Sequence, residues 1–175
     1  MSENAIIGIA ALGIIGIFII IIVAVFGLLC YILNSYSLFM ILKGVGYEMA
    51  WLAWIPFCKY FAITMAFNYK NDPNINIFGL AIPRPVAGFA SIICGILGKL
   101  IPVIGGVFPI LAILINGFIL AEMFDICEDN EPGKNTAMGI ISSLIVFVQI
   151  FMFFKYMGKA NRGEISIDTY SSNHQ

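Results

Sequence analysis

Three carboxylates at helical spacing are the residues of this sequence best placed for chemistry. Glu122 and Asp125 are three positions apart and Asp129 lies about one turn further on, so a helix would present them on one face. They follow an apolar run, and carboxylates oppose the dipole of a helix C-terminus. A compensating cation is therefore expected nearby. Arg84 is the geometric candidate if the two apolar runs between Arg84 and Glu122 fold as a hairpin.

This acidic group has three interpretations. It forms a structural ion pair with Arg84, it is ordinary solvated charge, or it binds a cation or a substrate. The spacing does not match a calcium loop, because the acidic residues neither alternate nor surround a central glycine. We favour the structural ion pair.

Other polar residues lie inside apolar runs. Lys99 falls at a depth where an ionisable group is a default functional candidate, although its long stem would also let it reach the nearer membrane surface. Asn116 and Gln149 are uncharged and suited to hydrogen bonds between helices. The candidate ion pair or polar path consists of Arg84, Lys99, Asn116, Glu122 and Asp125.

The usual catalytic and metal-binding residues are scarce. The one histidine, His174, lies in the polar C-terminal end, which deprives the body of the chain of the commonest general base and metal ligand. The four cysteines stand singly in or beside apolar stretches, without metal-site spacing: Cys30, Cys58, Cys94 and Cys127. We therefore predict no catalytic residues, no cofactor and no metal site, and expect a protein that is not an enzyme.

The composition predicts a membrane protein. Hydrophobic residues make up 61% of the 175 positions and charged residues 11%, against about 25% charged in an ordinary soluble domain. Mean hydropathy is +0.98. A net charge of −1 without basic clusters excludes nucleic-acid binding. The lipid bilayer is the expected surrounding.

The apolar runs predict an all-α polytopic transmembrane helix bundle with four to five spans and a short interfacial helix. A single domain, residues 1–157, precedes a polar tail, residues 158–175. The predicted spans cover about residues 5–33, 49–67, 86–104, 107–124 and 136–156. Residues 34–47 are the predicted interfacial helix. The segment 49–67 contains Pro56 and Lys59, so it either spans with the lysine paired or dips in and returns.

Basic residues beside the last span predict a cytoplasmic C-terminus. With five crossings, however, the basic residues divide between the two sides. Those inside would be Lys43, Lys155, Lys159 and Arg162, and those outside Lys70, Arg84 and Lys134. The orientation signal of a five-span arrangement is therefore weak.

Small residues in the third apolar run predict close helix packing. Ala87, Ser91 and Gly95 follow at four-residue spacing, with Gly98 alongside. Small side chains let helices approach closely in lipid, where hydrophobicity does not drive association. The face packs either inside the bundle or against another subunit.

Two short motifs resemble a family of small bacterial multipass membrane proteins of uncharacterised function. The first is Met40-Ile41-Leu42-Lys43-Gly44-Val45-Gly46, and the second is Trp51-Leu52-Ala53-Trp54-Ile55-Pro56-Phe57. An Ile-Pro turn at residues 101–104 fits the same pattern, and the likeness covers about residues 10–157. Members have a Tyr-Asn pair after Ile-Pro-Phe, where this chain has Cys58-Lys59. The resemblance implies a bacterial cytoplasmic membrane and supplies no catalytic residues.

These observations lead to two main functional hypotheses. The first is a non-enzymatic membrane subunit that packs with other membrane proteins, or with copies of itself, in a secretion, conjugation or transport assembly. The alternative is a small pore, holin-like protein or transporter with a polar path through the bundle. An intramembrane enzyme is disfavoured, because no nucleophile and base stand out together.

Overall fold

The computed structural model describes residues 3–56, 58–67, 72–100, 106–165 and 167, with side chains except those of 3–12, 91, 95 and 98–100. The chain is mostly helical, which confirms the predicted all-α class. The elements are α1 (Glu3–Gly44), a 3-10 helix (Ala50–Trp54), α2 (Lys59–Ala66), β1 (Asn74–Ile77), β2 (Leu80–Pro83), α3 (Arg84–Leu100), α4 (Val107–Glu128), α5 (Thr136–Leu144) and α6 (Val146–Asn161).

The chain divides into two compact units. The N-terminal unit is Met1–Leu33 and the C-terminal unit is Asn34–Gln175. Within the described residues, two helices are long and apolar enough to cross a membrane, at Gly13–Gly44 and Val107–Glu128. This is fewer than the four to five spans predicted. By the same measure α3 falls short, since it has 17 residues.

The predicted interfacial helix at residues 34–47 is not a separate element. Helix α1 continues through this region to Gly44. The polar residues Asn34, Ser35 and Ser37 are buried, and the Ser37 hydroxyl donates to the Asn34 carbonyl at 3.1 Å. Since serine satisfies its hydroxyl within the helix, the change from apolar to mixed composition does not end it.

The segment 49–67 is not one helix. It contains the 3-10 helix and the eight-residue α2, which would reach only about 12 Å along its axis. Of the two alternatives predicted for this segment, a spanning helix is therefore wrong. Proline at position 56 lies between the two pieces, where the chain breaks its helical hydrogen bonding.

The predicted span 136–156 is also wrong as a single helix. Helix α5 ends at Leu144, and Ile145 takes an extended backbone with φ −116° and ψ 104° before α6 begins at Val146. There is no glycine or proline at this break. Its cause is tertiary, because contacts at both ends of the segment hold it in a bent path, as described below.

A short antiparallel hairpin replaces part of the predicted polar connection. Strand β1 pairs with β2, with Asn74 opposite Pro83 and Ile77 opposite Leu80. Phe78 and Gly79 form the turn, both with positive φ, at 54° and 78°. A phenylalanine in that conformation is strained by about 1 kcal/mol or more. Its ring packs edge-on against Phe118, with centroids 4.7 Å apart, which offsets the cost.

Glycines bring the helices of the C-terminal unit into close contact. A Cβ on Gly139 of α5 would lie 2.2 Å from the Gly117 carbonyl oxygen of α4, and one on Gly117 would lie 2.8 Å from Ile140. A Cβ on Gly88 of α3 would lie 2.7 Å from the Phe61 Cα of α2. The backbones meet at distances that only glycine permits.

Candidate functional site

Arg84, the first residue of α3, is a buried arginine surrounded by acceptors. Its Nε donates to the Asp72 carbonyl at 2.7 Å, and its Nη1 donates to the carbonyls of Thr64 and Phe67 at 3.2 and 2.9 Å. The guanidinium also binds the Glu122 carboxylate at both oxygens, at 2.6 and 3.2 Å. Arg84 therefore joins α2, the chain before β1, α3 and α4.

The fork of the guanidinium explains why arginine suits this position. It presents five donors in a fixed plane, which match a carboxylate and several carbonyls at once. The side chain of Arg84 is 4% exposed and that of Glu122 is 21% exposed. A buried charge is tolerated when it is paired and its hydrogen bonds are satisfied. Both conditions hold here.

Asp125 has a different role from Glu122, although the sequence grouped them. Its Oδ1 accepts from the Asn135 backbone N–H at 2.9 Å, and its Oδ2 accepts from the Gly133 N–H at 2.7 Å. Gly133 has a φ of +90°, which suits glycine. Asp125 thus fixes the loop between α4 and α5 and satisfies an N–H at the start of α5.

Glu128 joins three elements and was missed as a site residue by the sequence analysis. Its Oε1 accepts from Lys155 Nζ at 2.5 Å and from the Tyr156 hydroxyl at 2.9 Å, both on α6. Its Oε2 accepts from Asn130 Nδ2 at 3.0 Å and Asn135 Nδ2 at 3.2 Å. One signal was present in the sequence: a carboxylate at the end of a span, with a lysine and a tyrosine at the end of the next apolar run.

Cationic side chains balance the negative charge at the C-terminal end of α4. Lys159 Nζ donates to the Cys127 carbonyl at 3.1 Å, where the helix dipole places partial negative charge. Arg84 forms an ion pair with Glu122, and Lys155 forms one with Glu128. We call this group the polar rim and define it as Arg84, Glu122, Asp125, Glu128, Asn135, Lys155 and Lys159.

Beyond α6, Arg162 and Glu164 form an exposed ion pair. The Arg162 guanidinium lowers the pKa of the Glu164 carboxyl. Since both side chains are exposed to solvent, this pair adds little to stability.

A second polar contact links α1 to α6 within the C-terminal unit. Asn34 Nδ2 donates to Gln149 Oε1 at 3.0 Å, and both residues are buried. Further along, a Cβ on Gly44 would lie 2.7 Å from the Ala160 Cβ. The end of α1 therefore runs parallel to α6, and Gln149 makes a hydrogen bond between the two helices.

The predicted ion pair or polar path is only partly brought together. Arg84 and Glu122 are in contact, and Asp125 lies one turn away with its own partners. The Asn116 Oδ1 atom is buried and has no hydrogen-bond partner within the described part of the chain. The Lys99 side chain lies outside the described residues.

The predicted packing face of α3 is described at one of its four positions. Ala87 is fully buried. The side-chain surroundings of Ser91, Gly95 and Gly98 lie outside the described residues. The close contact that the structure describes on this helix is made by the neighbouring Gly88, against α2.

A cavity of about 390 Å³ lies beside the polar rim. It is bounded by the strand β1, the start of α5 and one side of α4, through residues that include Asp72, Asn74, Phe118, Glu122, Asp125 and Thr136. Both oxygens of Glu122 and of Asp125 are already bonded to groups of the chain itself. In the described residues, no group of three or more His, Cys, Asp or Glu side chains is arranged to hold a metal ion.

Comparison of the chain with protein-family models, with curated proteins and with solved structures finds no match.

Proposed function

We propose that this chain is a non-enzymatic integral membrane subunit that packs into a larger membrane assembly of the secretion, conjugation or transport type. The main support is the surface of α1. Residues 13–33 would span about 32 Å as a helix, close to the roughly 30 Å hydrocarbon core. Its large apolar side chains are exposed, and Ile20 reaches 68%. Such a helix is stable only in lipid or against other apolar helices.

The glycines of α1 favour a protein partner for part of that surface. A Cβ on Gly13, Gly16 or Gly27 would meet nothing within 4 Å. At 100° per residue the three lie within an arc of about 60°. Glycine costs roughly 1 kcal/mol against alanine in a helix, so three on one face are explained by a close approach of another helix. In the C-terminal unit, by contrast, Gly117 and Gly139 already have such partners.

The arrangement of charges favours a subunit over a pore or transporter. A polar path needs side chains that are free to face water or a solute. Glu122 is bound by Arg84, and Asp125 by backbone N–H groups. These charges hold helices together, which is the role expected in a packing subunit.

We also propose a cellular location and a family for the chain. The chain belongs to a bacterial cytoplasmic membrane as a multi-pass protein with a cytoplasmic C-terminus, where α1, α3 and α4 cross and the other apolar segments enter without crossing. The segments around Lys43-Gly44 and Trp51 to Phe57 support its place among the small multipass family that it resembles.

Purification in mild detergent tests the proposal. The chain is expected to elute with stoichiometric membrane partners or as a defined oligomer. Gly16→Leu and Gly27→Leu are expected to reduce that yield, because they fill the glycine face of α1. Val25→Leu, about 150° away on the same helix, is the matched control and is expected to leave it unchanged. A strictly monomeric particle that conducts ions in liposomes would refute the subunit and support the pore.

A further inference from the structure

The ion pairs between helices of the C-terminal unit are gathered at one end of it. The polar rim occupies one end. At the other end lie exposed apolar residues, which we call the apolar end and define as Val107, Ile110, Leu144, Ile145, Val146 and Phe147. Leu144 is 66% exposed. A water-facing surface would not concentrate these residues at a helix turn.

Helices α5 and α6 form a hairpin that starts and finishes at the polar rim. The Glu128 carboxylate binds both Asn135, just before α5, and Lys155, late in α6. A straight helix over residues 136–154 would instead separate its ends by about 28 Å. Midway, the Ser143 hydroxyl donates to the Ile113 carbonyl of α4 at 2.8 Å. The chain therefore descends along α4 as far as Ile113 and returns.

The hairpin formed by α5 and α6 is too short to cross the bilayer. Along α4, Ile113 lies twelve residues from Asp125, or about 18 Å, against a hydrocarbon core of roughly 30 Å. Its turn would end inside the apolar layer. The backbone at Ile145 is compatible with that depth, since its N–H donates to the Ile141 carbonyl at 2.8 Å.

Helices α2, α3 and α4 also begin or finish at the polar rim. Arg84 at the start of α3 binds Glu122 near the end of α4, so this hairpin also begins and finishes at the polar rim. Arg84 also binds the carbonyls of Thr64 and Phe67, at the end of α2. The described ion pairs between these helices therefore lie at one end of the unit.

We infer that the non-crossing segments of the C-terminal unit enter the bilayer from one side only, with the turn between α5 and α6 in the hydrocarbon of a phospholipid membrane and the polar rim at its headgroups. Segments 49–67 and 136–156 dip in and return, so residues 125–135 and the C-terminal tail share a side. This inference rests on the membrane location in the proposed function and goes beyond it by fixing which loops lie together.

One-sided entry changes the distribution of basic residues. Lys43, next to the contact of Gly44 with Ala160, lies on the side of the polar rim together with Arg84, Lys134 and Lys155. Lys159 and Arg162 follow on α6 and just beyond it. A five-span arrangement would place Arg84 and Lys134 opposite the others. Cytoplasmic loops carry the excess of Lys and Arg, so the rim faces the cytoplasm and its basic residues match anionic headgroups.

Cysteine labelling at two positions tests the inference in the full chain. The four native cysteines are replaced by alanine, and Glu131→Cys and Glu164→Cys are introduced one at a time at exposed positions. A membrane-impermeant maleimide is applied to spheroplasts and to inverted membrane vesicles. We expect both positions to be labelled in inverted vesicles and neither in spheroplasts. Labelling of Glu131→Cys in spheroplasts and of Glu164→Cys in inverted vesicles would overturn one-sided entry.

A second measurement avoids the cysteine replacements. A short epitope inserted between Glu131 and Pro132, or added at the C-terminus, is detected by antibody in the same two preparations, and both epitopes are expected to be accessible only in inverted vesicles. Accessibility on opposite sides refutes the inference while leaving an assembly subunit intact. Recovery of the chain in the soluble fraction would refute the proposed function as well. Accessibility of both from the outside would refute the cytoplasmic orientation.

Discussion

Removal of the Glu122 carboxylate should destabilise the C-terminal unit strongly. In Glu122→Ala, Arg84 keeps three carbonyl acceptors but loses both bonds to the one counter-charge that pairs with it among the described residues. Breaking a buried ion pair by removing one partner costs about 3 to 5 kcal/mol. Glu122 is one-fifth exposed, so the lower figure of about 3 kcal/mol applies. For a chain of this length, that corresponds to a fall in Tm of roughly 6 to 12 °C.

Thermal unfolding in detergent, followed by size-exclusion of the heated sample, measures this change. Glu122→Gln should fall between wild type and Glu122→Ala, because the amide oxygen still accepts a hydrogen bond but carries no charge. Glu131→Gln is the control, since Glu131 is exposed on the loop after α4. Arg84→Ala combined with Glu122→Ala should cost less than the sum of the single changes. A melting temperature for Glu122→Ala equal to that of Glu131→Gln would refute the assignment of Arg84 and Glu122 as a buried structural pair.

Two further changes test the helix contacts in the same assay. Glu128→Ala should lower stability by about 1 to 3 kcal/mol, because Lys155 and the buried Tyr156 lose their shared acceptor, and unchanged melting would contradict the role of Glu128 in holding α6. Gly139→Ala should lower it by about 1 to 3 kcal/mol, because its Cβ would overlap the Gly117 carbonyl. Gly158→Ala on α6, whose Cβ would meet only the end of the Arg162 side chain at 3.6 Å, should be neutral or stabilising by up to about 1 kcal/mol. Equal effects of the two alanine substitutions would contradict the close contact of α4 with α5.

The sequence predicts where apolar segments lie better than it predicts whether they cross. The start of α4 at Val107 agrees with the predicted start of a span at residue 107, and helix α1 follows from an uncharged run. The division of residues 136–156 does not follow, since Ile145 is a residue that any helix accommodates. Glu128 contacts Asn135, just before the segment, and Lys155, near its end, and composition and periodicity do not encode the contact with Lys155.

The β-hairpin shows the opposite case, a local signal that was present and not used. Asn74-Ile75-Asn76-Ile77 alternates polar and apolar residues, which is the period of a half-buried strand, and Ile75 and Ile77 are the buried pair. The turn is Phe78-Gly79, whereas Asn-Gly or Asp-Gly is the usual sequence for a turn with two positive φ values. Phe78 is tolerated there because of its contact with Phe118, which lies forty residues away.

The carboxylates at the C-terminal end of α4 explain why α3 begins, and α6 finishes, beside that end. Three carboxylates in the last two turns of a helix oppose its dipole, and in an apolar environment the cost rises because water does not screen them. Glu122 and Glu128 are neutralised by Arg84 and Lys155, which come from the start of α3 and the end of α6. Asp125 is satisfied by the loop into α5. These compensations require α3 to begin, and α6 to finish, beside the C-terminus of α4. Glu122, Asp125 and Glu128 therefore hold the ends of the surrounding helices at the C-terminus of α4.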